Sequence, residues 1–289
     1  MFSIIIINWN TRDILYKCLK SLEKEKVDEI IVVDNASSDG SVEMLRKHFK
    51  NVILIINPIN YGYAKAANIG IKNSMGDLIL LLNSDIFIEK GTIKRIKLFM
   101  SNNPNVEIAS PLLYSPEGEQ IKTLRPIPNL IFMLLEYSFI SHIFPFAKAI
   151  LPKYIQGAAL VIRRDIVEKI GLFDERFFFY SEDADFCFRA RRHGLKMKII
   201  TTAKAIHLCG ESSKKKSKSR YYVKNIAANL EFIDKYYAKV TTNFVKNLTT
   251  LHFFIKSIFL NILSISYIDK REIDKKLSLY NGIMNICRR

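Results

Sequence analysis

With 289 residues, 49% of them hydrophobic, the chain is long enough for one large domain or two closely packed ones and needs no cross-links to hold a core. Only 11 Gly and 8 Pro exclude collagen-like and low-complexity disordered chains. The formal net charge is +16; residues 214–289 hold sixteen Lys and Arg against five Asp and Glu, a local +11 that suits either nucleic acid or an anionic membrane face.

Met1–Asn10 lacks a basic leader region and a small-residue cleavage site, so it reads as a first buried strand rather than a secretion signal. Short β-rich runs then alternate with helical patterns: Ser3–Ile7 and Asp13–Leu22, Glu29–Val33 and Ser41–Phe49, Val52–Ile56 and Tyr63–Asn73, then Leu78–Leu82. The near-continuous apolar runs IIII, IIVV, VILII and LILLL imply a parallel sheet covered on both faces, since a half-exposed strand alternates. In such a sheet the ligand lies beyond the carboxyl ends of the strands. The candidate positions are therefore Asn8 and Asn10, Asp34 and Asn35, Asn57 and Asn60, and Asn83, Ser84 and Asp85.

From Ser110 onward, Pro111, Pro116, Pro126 and Pro128 break this rhythm. Ile127–Ile150 is apolar but interrupted by Glu136, His142, Pro145 and Lys148, which makes it amphipathic or buried rather than a crossing of about 20 apolar residues. Tyr154–Ile162 reads as a strand, followed by a short helix opened by Asp165 with Glu168 at capping-box spacing. Asp183–Arg192 reads as a helix, Lys198–Ile200 and Ala205–Leu208 as short strands, and Lys214–Arg220 as a charged loop. Tyr221–Tyr237 and Phe244–Tyr267 are helical candidates, the second with Phe253, Phe254, Ile258, Phe259 and Ile262 at helical spacing. Cys18, Cys187, Cys209 and Cys287 stand far apart without a Cys-x-x-Cys pair, against a disulfide framework or a zinc site and in keeping with a reducing compartment.

Three groups could carry chemistry. Asp34 enters the loop N-A-S-S-D-G and either makes an Asx turn that caps the next helix or accepts hydrogen bonds from a ribose or base. No G-x-G-x-x-G follows the first strand, which disfavours a dinucleotide oxidoreductase. Asn83-Ser84-Asp85 puts a carboxylate where a diphosphate would lie; it either holds a divalent cation or caps the next turn. Glu182-Asp183-Ala184-Asp185 opens a helix just after the aromatic run Phe177–Tyr180. The helix dipole accounts for part of that acidity, and an apolar wall beside a carboxylate suits general-base duty. His207 ends an apolar strand as a metal ligand or a core histidine.

Taken in order, these pieces resemble glycosyltransferase family 2, the inverting GT-A enzymes, and within it the rhamnosyltransferase-like group, over residues 3–213. The resemblance is carried by I-I-N-W-N-T-R at Ile6–Arg12, V-V-D-N-A-S-S-D-G-S at Val32–Ser41, and N-Y-G-Y-A-K-A-A-N-I-G at Asn60–Gly70. It continues through L-L-L-N-S-D at Leu80–Asp85, G-L-F-D-E-R-F-F-F-Y-S-E-D-A-D at Gly171–Asp185, and H-L-C-G-E-S-S at His207–Ser213. It implies an α/β GT-A fold, with a Rossmann-like, mostly parallel sheet and a helical C-terminal tail. Residues 1–110 would form the nucleotide-sugar half, 111–213 the acceptor and catalytic half, and 214–289 a basic helical extension.

By position, the resemblance makes Asp183 the base that deprotonates the acceptor hydroxyl. Asn8, Asn10, Asp34, Asn60, Lys65, Asn68 and Ser84 would contact the nucleotide, and Asp85 and His207 would hold Mn²⁺ or Mg²⁺. Glu182, Asp185 and Tyr180 would stand beside the acceptor. Two residues depart from the family pattern: Asn83 replaces the first Asp of the D-x-D element, leaving one carboxylate fewer, and Cys209 replaces a common Gly. No Q-x-x-R-W follows Asp183, which favours addition of one sugar over polymerisation.

The expected reaction moves one sugar, with rhamnose as the candidate, from a UDP- or dTDP-linked donor to a saccharide or polyprenyl-linked saccharide, in cell-surface polysaccharide synthesis. The basic amphipathic tail adds an anionic membrane surface as a partner, for a cytoplasmic protein peripheral at the inner face of the cell membrane. Two rival classes remain. A basic nucleic-acid-binding α/β module has no recognition motif here, so no nucleic acid partner is expected. A sugar nucleotidyltransferase would need a Gly-rich basic triphosphate loop near the first strand, which is missing.

Overall fold

The register of the central strands decides where the polar residues gather. In the computed structural model, which describes residues 1–137, 149–208, 218–263 and 270–288, β1 (Phe2–Asn8) pairs in parallel with both β2 (Glu29–Asp34) and β4 (Leu78–Asn83). Asn8 falls opposite Asp34 and Ile7 opposite Asn83, so the polar strand ends line up along one rim. β10 (Ala159–Arg163) runs antiparallel to β4 with Ala159 opposite Leu82, which brings the residues just before it to the same rim. β6 (Ile108–Tyr114) pairs with β10 and, in parallel, with β11 (Met197–His207). β5 (Ile86–Ile88) lies antiparallel to β11 with His207 opposite Ile86. β3 (Ile53–Ile56) edges the sheet beyond β2, and β7 (Gln120–Ile121) pairs with β6.

Helices cover both faces because successive strand side chains point to opposite sides. Ile4, Ile6, Leu80 and Leu82 face α1 (Arg12–Leu22), α2 (Ser41–His48) and α4 (Thr92–Asn102) through Leu15, Leu45 and Ile96. Ile5, Ile31, Val33 and Leu81 face α3 (Gly62–Lys72), α6 (Arg164–Ile170) and α7 (Glu182–Arg192) through Ala67, Ile166 and Phe186. Burial on both sides is the physical reason for the continuous apolar runs.

The structure corrects several details. β3 is not fully covered: as the edge strand it leaves Ile53 and Ile56 exposed. Tyr154–Ile162 is not one strand, because β9 (Lys153–Ile155) stops before Gly157 and β10 starts at Ala159. The two short strands expected from Lys198 to Leu208 are the single strand β11, whose register shifts between Ile200 and Lys204. The capping box is absent: Arg163 is the N-cap of α6 without a side-chain bond, and Asp165 sits inside the first turn, 4.0 Å from Lys169.

By internal contacts the chain divides into two units, Met1–Arg125 with Tyr154–Lys215, and Pro126–Lys153 with Lys216–Arg289. The chain passes between them within β8 (Leu124–Pro126) and β9, which pair with each other. The second unit is helical: α5 (Leu130–Tyr137), α8 (Lys218–Tyr236), α9 (Lys239–Leu263) and α10 (Lys270–Arg288). Met133, Tyr137, Ile226, Ile233, Val245 and Ile283 are among the residues of its core. Of the expected charged loop, Lys218–Arg220 is the start of α8, and residues 214–217 lie outside the described residues. Phe253 does not share a face with Phe254, being 1% exposed in this core. Among the described residues no helix is long and apolar enough to cross a membrane.

Candidate active site

The rim formed by the ends of β1, β2 and β4 is held together by side-chain amides and hydroxyls. Asn8 donates to Asp34 Oδ2 at 2.7 Å and to Ser37 Oγ at 3.1 Å. The other Asp34 oxygen accepts from the Ser37 backbone N–H at 2.8 Å, so the Asx turn allowed by the sequence is formed. Asp34 is fully buried. Thr11 Oγ1 lies 2.6 Å from Asn8 Oδ1 and 2.8 Å from Ser84 Oγ, donating to the amide and accepting from the serine hydroxyl. A second chain runs from Asn57 Nδ2 to Asn35 Oδ1 at 2.8 Å and from Asn35 Nδ2 to the Gly62 carbonyl at 3.0 Å. Asn10, at φ 55, accepts from the Ser38 N–H at 2.8 Å.

At the start of α3, Asn60 Oδ1 accepts from the Gly62 N–H at 2.9 Å, and Lys65 Nζ stands 4.2 Å over the Tyr61 ring. Gly62 has φ +81, and a Cβ there would come within 2.3 Å of the Phe178 carbonyl, which accepts from Tyr63 N–H at 2.8 Å. Asn68 is 2% exposed and clamps the following segment, donating to the Phe173 carbonyl at 2.9 Å and accepting from its N–H at 3.0 Å. Its amide thus positions the loop that leads into α7.

That loop enters α7 through Tyr180 and Ser181, at φ 77 and 64, two consecutive left-handed residues without glycine. Such residues are held only where the surrounding contacts over-determine them. The three carboxylates that follow have different surroundings. Asp183 accepts from Gly157 N–H at 2.7 Å and from Ala184 N–H at 2.8 Å, yet burial pushes its carboxyl up to about 6 against those two bonds. Glu182 is 6% exposed with Oε2 lacking a hydrogen-bond partner, and burial followed by the Asp183 charge holds it well above the usual carboxylate range. Asp185 is fully buried and pairs with Arg189 at 2.9 Å, whose guanidinium also reaches the carbonyls of Ile170 and Leu172. The aromatic run is divided: Phe177 is in the core, while Phe178 and Phe179 are exposed.

Tyr63 ties the wall to the rim. Its hydroxyl donates to the Gly157 carbonyl at 3.1 Å, and burial, then the charges of Glu182, Asp183 and Asp85, raise it well above its ordinary value. All three carboxylates therefore lie within electrostatic reach of one phenol. At the other end, the β5–β11 pairing delivers His207 to Asp85, Nε2 to Oδ1 at 3.4 Å. His207 is 9% exposed and its Nδ1 has no hydrogen-bond partner. Among the described residues no group of three or more His, Cys, Asp and Glu gathers as a closed metal cage. A buried carboxylate beside an imidazole with an unmatched nitrogen fits a cation that keeps open positions for diphosphate oxygens.

Thus Asn8, Asp34, Ser84, Asp85 and His207 come together along the rim, with Asp183 and Glu182 on the facing wall. Sequence reading missed Thr11, Ser37, Tyr63 and Gly157. Tyr63 and Thr11 lie inside motifs already singled out, whereas Gly157 carries no sequence signal because its role is a backbone N–H. Cys18 and Cys187 are free and buried; burial raises both thiols, Cys187 up to about 12, which leaves neither as a nucleophile. Cys209 and the rest of the histidine motif to Ser213 lie outside the described residues.

The family model described as Glycosyl transferase family 2 matches residues 3–171. Low-salt glycan biosynthesis hexosyltransferase Agl10 of Haloferax volcanii is 27% identical over 220 residues, covering 71% of this chain and 66% of its own length. N-acetylglucosaminyl-diphospho-decaprenol L-rhamnosyltransferase of Mycobacterium tuberculosis is 25% identical over 211 residues, covering 65% and 68%. The chain thus spans about two thirds of the length of these relatives. Among solved structures, the mannosyltransferase PcManGT from Pyrobaculum calidifontis, in complex with GDP-Man and Mn²⁺, aligns at TM-score 0.61 and 11% identity, over 99% of this chain and 86% of that one. At that identity the likeness establishes the GT-A fold, a mixed sheet between helices.

Proposed function

Because the chain belongs to glycosyl transferase family 2, with more than half its length inside the family match, we propose that it transfers one sugar from a UDP- or dTDP-linked donor to a saccharide or polyprenyl-linked saccharide, inverting the anomeric centre. One observation carries the proposal: Asp183, buried and raised to about 6, is pinned by the Gly157 N–H on a wall that faces the Asp85–His207 pair through Tyr63. A carboxylate titrating there is ionised at neutral pH and still basic enough to share a proton in the transition state.

The acceptor hydroxyl gives its proton to Asp183 as its oxygen bonds to the anomeric carbon. The bond from that carbon to the donor diphosphate breaks, and the nucleoside diphosphate leaves with the electron pair. One displacement needs no covalent intermediate, in keeping with the raised thiols. Asp85 and His207 would hold a divalent cation, Mn²⁺ or Mg²⁺; when bound it would neutralise charge developing on the leaving diphosphate. Asn8, Asn10, Asp34, Asn60, Lys65 and Ser84 shape the nucleotide side, with Asn68 acting through the loop it clamps. Glu182 and Tyr180 belong to the acceptor side, and Asp185 steadies it through Arg189. In this division residues 1–110 serve the donor and 111–213 the acceptor, while 214–289 serve a cytoplasmic enzyme peripheral to the membrane.

The test is a screen of UDP-, dTDP- and GDP-sugars for nucleoside diphosphate release, with and without excess EDTA. Release from one donor, lost in EDTA and restored by Mn²⁺ or Mg²⁺, is expected. Asp85→Ala weakens donor and Mn²⁺ binding together, by at least the about tenfold to hundredfold that outer groups of metal sites control. Full activity in EDTA removes the cation from the reading, and no release from any nucleotide sugar removes the donor class.

A further inference from the structure

Helix α9 carries apolar residues outward as well as inward. Its inner face buries Val245 and Phe253 together with Thr242, Thr249, His252 and Ser257. The hydroxyls of Thr249 and Ser257 return to the carbonyls of Val245 and Phe253, both at 2.8 Å, so they enter the core without a partner from another helix. Outward it presents Val240, Phe244, Leu251, Phe254, Ile258 and Ile262, each between 43% and 80% exposed. At 100° per residue these six fall in one sector about 80° wide, and at 1.5 Å rise they form a strip about 33 Å long. A helix face turned only to water is polar, and a continuous apolar strip there marks an interaction surface where scattered apolar residues would not.

Charge selects the occupant. α9 contains Lys239, Lys246 and Lys256 and no acidic residue, inside a segment carrying +11 from residue 214 onward. A second copy would bring the same charge against this face, whereas an anionic lipid surface is attracted by it. The helix does not qualify as a membrane span, so it can lie along a bilayer but not cross one. We propose that the outer face of α9 seats on an anionic bilayer, with the apolar strip in the acyl boundary and Lys239 and Lys246, on the flank of that strip, at the headgroups. The proposal names the surface behind the peripheral membrane reading and does not depend on the transfer chemistry.

The experiment is sedimentation of the full-length protein with phosphatidylcholine vesicles with and without phosphatidylglycerol, alongside the triple variant Leu251→Ser, Phe254→Ser, Ile258→Ser. The wild type is expected to pellet with the anionic vesicles only and to release as salt rises, and the triple variant to bind at least about tenfold more weakly. Circular dichroism and nucleotide-sugar hydrolysis of the same samples check that the variant is folded. Equal pelleting with neutral vesicles, or with neither, overturns the proposal. So does a wild-type dimer in solution that the variant converts to monomer, which would assign the face to a second copy. A wild type that hydrolyses nucleotide sugar but binds no vesicle refutes this inference alone, and a wild type that binds anionic vesicles without hydrolysis refutes only the transferase reading.

Discussion

The strand-end rim and the α7 wall both bury carboxylates, but they satisfy them differently. On the rim, Asp34 is matched by the Asn8 amide and the Ser37 N–H, and Asn8 is matched in turn by Thr11. On the wall, Asp183 has only backbone N–H partners, and Glu182 keeps an unmatched oxygen beside it. A closed polar network fixes geometry, while a buried carboxylate with incomplete compensation is held closer to its proton. The rim thus has the compensation that holds a shape, and the wall the incomplete compensation that the proposed base role requires.

Substitutions should separate the two. The largest effect is expected for Asp183→Asn: turnover falls by about two to four orders of magnitude, the usual contribution of a general base, while donor binding and melting temperature stay near wild type. Turnover that survives in this variant would erase the contrast and hand the base to Glu182. Asn8→Ala should act on the other axis. It leaves Asp34 Oδ2 buried without its donor and is expected to cost about 1–3 kcal/mol of stability, read by denaturant unfolding. A variant as stable as wild type but inactive would make Asn8 a substrate contact instead of a brace.

The smallest effect sharpens the comparison within the wall. With Asp183 at about 6, the rate should rise with pH through that value and then level, because the base works ionised. Glu182→Gln should leave this midpoint in place, since burial rather than the Glu182 charge raises Asp183. Its raised carboxyl means that the folded protein keeps a proton the unfolded chain releases near the ordinary value. The stability this contributes is fully present below the ordinary value and is lost as pH rises through the raised one. The wild type should therefore lose melting temperature relative to Glu182→Gln as pH rises above the ordinary carboxylate range, measured by calorimetry across the range. A midpoint moved by a unit or more would show that the two carboxylates titrate as one reacting pair.

The amino-acid sequence by itself determined the parallel half of the sheet, because strands covered on both faces must be apolar throughout, as Ile4–Ile7 and Ile79–Leu82 are. It also pointed to the candidate site, since Asn8 and Asp34 end strands of this sheet, Asp85 follows another, and the family motifs run through them. It could not show β11 as one strand, because the shift after Ile200 interrupts the pattern that reveals a strand. Nor could it show α9 presenting Phe254 outward and Phe253 inward, because periodicity finds an apolar face without saying what covers it. Only the tertiary structure decided which carboxylate on α7 is matched, which is raised and which braces Arg189. Those differences come from Gly157 and from carbonyls at Ile170 and Leu172, backbone groups that every residue carries and that no side-chain pattern can reveal.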